Sequence, residues 1–70
     1  MEQVKVCYDP IGSSLTVWFG DPEKESIAEE IGEEIILMKD KDGKLLGFEK
    51  LNVSFETPQR VQFAVETVPA

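Results

Sequence analysis

Histidine is absent from this 70-residue chain, and cysteine occurs once, at Cys7. Without histidine the commonest general base is missing, and with it the usual serine and cysteine nucleophile arrangements. The two shortages together remove the ordinary structural zinc sites, and a lone cysteine closes no internal disulfide. Cations are also scarce: seven lysines and arginines face fourteen acids, for a formal net charge of −7. Such a chain repels phosphate backbones, so no nucleic-acid partner is expected. No apolar run approaches the length of a membrane span. Met1-Glu2-Gln3 lacks the basic start and apolar stretch of a signal peptide. No membrane partner is therefore expected, and a reducing, cytoplasmic location suits the single thiol. The five glycines are isolated and make no phosphate-binding loop. No catalytic residue, cofactor or metal ligand is assigned, and an enzymatic role is not expected.

What is present suits one small folded domain over residues 1–70: 41% hydrophobic and 30% charged residues. A chain this short builds a marginal core, and natural examples add disulfides, a metal or a partner subunit. With the first two removed, self-association is the expected staple, in its simplest form a homodimer.

Val4, Val6 and Tyr8 alternate with Lys5, Cys7 and Asp9, and Leu15, Val17 and Phe19 alternate with Thr16 and Trp18. A period of two marks half-buried strands, and Pro10, Gly12, Ser13 and Ser14 supply a turn between them, so the segments read as a hairpin. Asp21-Pro22-Glu23 then has the grammar of a helix start, and Ile27, Ala28, Ile31 and Ile35 fall at helical spacing. A short strand through Ile27, with a bend at Gly32, competes with that reading. Ile35-Ile36-Leu37-Met38 and Leu45-Leu46-Gly47-Phe48 flank Asp40-Lys41-Asp42-Gly43, a strong hairpin signal. A strand apolar on both faces, as Ile35 to Met38 is, needs cover on both faces. Val61, Phe63 and Val65 alternate again and read as a final strand.

Several residues invite a chemical reading. Asp40 and Asp42 before Gly43 resemble a fragment of a calcium loop, but the chain returns at once to a strand and the remaining ligands are missing. Adjacent carboxylates on a strand point to opposite faces and do not converge. Glu49, on a central strand, needs a partner if it points inward, and Lys39 on the facing strand is one candidate. Cys7 is expected to be a buried or half-buried inert thiol. Trp18, with Ile36 and Met38, is the candidate interface. Between Gly20 and Glu34 seven acids face Lys24 alone, which concentrates −6 of the −7. Within that stretch Glu29, Glu30, Glu33 and Glu34 form a candidate docking face for a basic protein partner, although a merely solvating face is the commoner role for such charge.

Lys5-Val6-Cys7-Tyr8-Asp9-Pro10 and Leu15-Thr16-Val17-Trp18-Phe19 resemble the opening of the domain of unknown function 2283 family. Glu30 to Leu37 is similar to that family's E-V-G-[DE]-x-[IV]-x-L stretch, and Asp42 to Ser54 to its D-G-x-[LI]-V-G-[IF]-E-x-L-x-A-S stretch. Ile11-Gly12-Ser13-Ser14, Lys50 and Val53 depart from the pattern. The resemblance implies an extended Ile27 to Ile31 and an all-β fold, mainly an antiparallel meander of about five to six short strands. The alternative from local sequence is α+β with one short helix within 22–31. Relatives that accompany small toxin-like proteins give the acidic chain an antitoxin-like, neutralising role as the alternative to self-association. The resemblance names no activity.

Overall fold

The computed structural model describes residues 3–57 and 60–69. Its elements are β1 (Lys5–Asp9), β2 (Ser14–Trp18), a 3-10 turn (Pro22–Lys24), β3 (Ile27–Ile31), β4 (Ile35–Lys39) and β5 (Leu45–Leu51). All five strands join one antiparallel sheet in the order β1-β2-β5-β4-β3. The fold is therefore all-β: a hairpin, β1–β2, laid beside a three-stranded meander, β3–β4–β5. The seven-residue β5 is the central strand, with β2 on one side and β4 on the other.

The turns follow from local chemistry. Asp9 Oδ1 accepts hydrogen bonds from the Ile11 and Gly12 amides, both at 3.0 Å, and so ties down the loop that returns the chain to β2. Asp40 Oδ1 does the same for Asp42 and Lys44, both at 2.9 Å, while Gly43 at φ +83° supplies the left-handed residue that the β4–β5 turn requires. The contested acidic stretch resolves in favour of strand. Asp21 caps as its position suggests, its Oδ1 accepting from the Glu23 amide at 2.9 Å, but the helix ends after Lys24. Ile27 to Ile31 then pairs along its whole length with β4, and Gly32 at φ +66° makes the turn between them. Pairing with the strongly apolar β4 outweighs a helical pattern interrupted by glycine.

The register between β4 and β5 slips at Met38/Lys39, so that Met38 faces Gly47, Lys39 faces Leu45 and Leu46 is the extra residue. The Leu46 carbonyl accepts from both the Phe19 and Gly20 amides, each at 2.9 Å. This bulge turns Leu46 inward, where it is 4% exposed.

Among the described residues the expected final strand at Val61, Phe63 and Val65 does not form. Alternation makes a strand only where an edge is near enough to pair and a face is there to bury. Here Val61 is half-buried, while Phe63, Val65 and Val68 stand in solvent.

Candidate interaction surface

Residues paired across an antiparallel ladder share a face, so the register sorts every strand side chain. One face carries the rows Lys5–Trp18–Gly47–Met38–Ala28 and Cys7–Thr16–Glu49–Ile36–Glu30. The opposite face carries Val6–Val17–Phe48–Leu37–Glu29 and Tyr8–Leu15–Lys50–Ile35–Ile31. We call them the tryptophan face and the aliphatic face.

The candidate interface residues Trp18, Ile36 and Met38 do share the tryptophan face. Trp18 and Met38 flank Gly47 in one row, and the indole Cε3 lies 3.0 Å from where a β-carbon on Gly47 would sit. Met38 is 5% exposed, and Trp18 and Ile36 are half-buried. Glu49, on the same face, accepts from Thr16 Oγ1 at 3.4 Å. Lys39 is not its partner: Lys39 lies on the aliphatic face and its Nζ sits 2.6 Å from Glu29 Oε2. The slip at Met38/Lys39 does not change this, because the two side chains leave the sheet on opposite sides. Cys7 is exposed, not buried or half-buried. It lies on an edge strand, where a side chain has a neighbouring strand on one side alone among the described residues.

On the aliphatic face, the end near β1 carries some cover. The Phe55 ring meets Tyr8 edge-on at a centroid distance of 5.0 Å. The end near β3 is open: Ile27, Ile31 and Ile35 are 41%, 48% and 37% exposed. Met38 and Leu46 are the buried hydrophobic residues among those described, and neither is completely enclosed.

The four carboxylates of the candidate acidic docking face do not form one face. Glu29 and Glu30 point to opposite sides of β3, while Glu33 and Glu34 lie in the β3–β4 turn. Glu29 is tied to Lys39. Glu34 Oε2 accepts from Lys50 Nζ at 2.6 Å and its Oε1 from Asn52 Nδ2 at 3.3 Å. The Lys50 hydrogen bond, then Asn52 and the Lys50 charge, hold the Glu34 carboxyl below its ordinary value of 4.5. Glu30 and Glu33 remain without such ties among the described residues. Two features had no signal in single-residue patterns: the Leu46 bulge, and the left-handed Asn52 at φ +57°, whose side chain bonds Glu34. The two edge strands, β1 and β3, form no backbone hydrogen bonds on their outer sides among the described residues.

No helix among the described residues is long and apolar enough to cross a membrane. No curated protein and no solved structure matches the chain. A family model described as a protein of unknown function, DUF2283, matches residues 5–54. That span runs from the first residue of β1 to just past the end of β5, the whole sheet, and the chain belongs to the DUF2283 family.

Proposed function

We propose that the protein is a non-enzymatic, self-associating interaction domain, in its simplest form a homodimer. The carrying observation is the single layer. Stable domains pack two layers around a core, and here one sheet stands with only a short C-terminal segment beside it. The accessible surface is 5933 Å², against about 4,400 Å² for a compact folded chain of this mass. The radius of gyration is 13.5 Å, where about 11 Å is usual for this length. The excess of about 1,500 Å² per chain is more than the roughly 800 Å² that each partner loses in a standard interface. Sedimentation equilibrium at micromolar concentration tests this reading. A particle of twice the 7.9 kDa chain mass is expected, and a stable monomer overturns it.

An acidic, antitoxin-like partner of a small basic protein is the second reading. It is favoured by the charge between Asp21 and Glu34, all of it on exposed residues. Its complex would loosen as salt is added. A heterocomplex that is indifferent to charge reversal at Glu29, Glu30, Glu33 and Glu34 speaks against it.

A further inference from the structure

We infer that two copies meet along β1, antiparallel about a two-fold axis at Cys7, joining their sheets into one of ten strands; this rests on the self-association reading and names its surface. The outer edge of β1 is unpaired among the described residues, and its sequence is complementary to itself. With Cys7 opposite Cys7 of the second copy, Lys5 lies opposite Asp9 and Val6 opposite Tyr8, each twice by symmetry. Opposed residues share a face. The two Lys5–Asp9 pairs therefore flank Cys7 on the tryptophan face, where all three residues are exposed. The Val6–Tyr8 pairs continue the aliphatic face across the junction, and each Tyr8 brings its own Phe55 cover. Asp9 gives Oδ1 to its loop, yet an ionised carboxylate has further acceptor sites for an incoming ammonium.

The opposite edge does not permit the same pairing. A two-fold register about Glu29 sets Glu29 against Glu29 of the other copy, and one about Glu30 sets Glu30 against Glu30, and like charges directly opposed are unfavourable. Pairing through β1 also sends the acidic stretch of each copy to the far side of the assembly, since β3 is the other edge of the sheet.

The test uses the full chain, followed by sedimentation and by disulfide trapping with diamide, which takes up the two hydrogens lost when two Cys7 thiols join. Directly opposed residues have Cα atoms about 4.5–5.5 Å apart, inside the roughly 4.4–6.8 Å that a disulfide spans. The expected result is a dimer trapped rapidly through Cys7, and weakened about tenfold by Lys5→Asp. Asp9→Lys should weaken it similarly, and an equimolar mixture of the two variants should recover it, since each then meets its opposite charge. Because Asp9→Lys also removes a loop cap, wild-type trapping and Lys5→Asp are read without it. A dimer that neither traps through Cys7 nor responds to Lys5→Asp overturns the β1 contact and leaves self-association by another surface. A monomer at micromolar concentration overturns both.

Discussion

Salt is the perturbation that best separates a homodimer from a complex with a basic partner. Two copies bring a formal charge of −7 each. A sheet continued through β1 sets the sheet centres five strand spacings apart, about 24 Å, and the two β3 strands nine spacings apart, about 43 Å. Most of the charge lies towards the β3 side, so these distances bracket its effective separation. In bulk water two such charges repel by roughly 8 kcal/mol at the shorter distance and 5 kcal/mol at the longer. A Debye length of about 30 Å at 0.01 M leaves roughly 1–4 kcal/mol, and one of about 8 Å at 0.15 M leaves less than about 0.5 kcal/mol. Raising the salt therefore removes about 1–3 kcal/mol of repulsion, equivalent to a Kd tighter by about fivefold to 150-fold. The Lys5–Asp9 pairs act in the other direction, but exposed pairs contribute only about 0.2–1 kcal/mol each, and salt removes only part of that. Sedimentation equilibrium in 0.01 M and 0.15 M NaCl measures the change. A Kd that rises with salt would refute the reasoning, because attraction between fixed charges would then dominate.

Two further outcomes test the sheet itself. A β-carbon on Gly47 would collide with the Val17 carbonyl and lie 3.0 Å from Trp18 Cε3, and the carbonyl belongs to a paired strand that cannot move aside. Because the added carbon meets a backbone carbonyl, Gly47→Ala should cost about 2–3 kcal/mol of overpacking, less the roughly 0.5–1 kcal/mol by which alanine suits a strand better, a net loss of about 1–2.5 kcal/mol that lowers Tm by about 5–20 °C in thermal unfolding; an unchanged or raised Tm refutes the close approach. Glu34 has a folded pKa depressed by Lys50 and Asn52, so its contribution to stability is present above its unfolded value of 4.5 and is lost as pH falls through the folded value. Lys50→Met should move the Glu34 carboxyl titration, followed by NMR, back up towards 4.5, and no movement would show that the ion pair does not persist in solution.

The parts of this fold that were legible in the sequence are those whose signal is local. The loop that Asp9 caps and the Asp40 to Lys44 turn announce themselves within a few residues, and both hairpins form where the spacing predicts. Strand parity correctly placed Thr16 and Trp18 opposite Leu15 and Val17. Parity failed as a guide for Val61 to Val65, because alternation describes a chain suited to pairing and says nothing of whether an edge is within reach. The placement of β5 between β2 and β4 is long-range, and no local pattern announces it; in hindsight Gly47 was its one trace, the small residue over which Trp18 lies. The hairpin pattern makes Lys39 one candidate partner for an inward Glu49, whereas the faces on which they lie depend on a register no local pattern fixes. For the candidate site, strand parity puts Ile36 and Met38 on one face, but that Trp18 shares it depends on the long-range register through β5. The dispersal of Glu29, Glu30, Glu33 and Glu34 followed from the contested segment being a strand and a turn.

The two edges of this sheet bear on the form of the assembly. An open sheet with both edges free to pair would extend from copy to copy into a filament. Here the edges differ: Lys5 and Asp9 make β1 complementary to itself, while Glu29 and Glu30 make β3 repel itself. A mixed contact of β1 on β3 is poorer than β1 on β1. With Cys7 opposite Glu29, the antiparallel register sets Glu30 against Val6; shifted so that Glu30 meets Lys5, it sets Glu29 against Val6. Either way a carboxylate faces an aliphatic side chain, and at most one charge pair forms where β1 on β1 gives two. Lys39, ion-paired to Glu29, further occupies the β3 side. One edge that accepts its own copy and one that rejects it would close the proposed assembly as a two-fold dimer. On the proposed β1 pairing, the acids that suggested a docking face would instead end the sheet at ten strands.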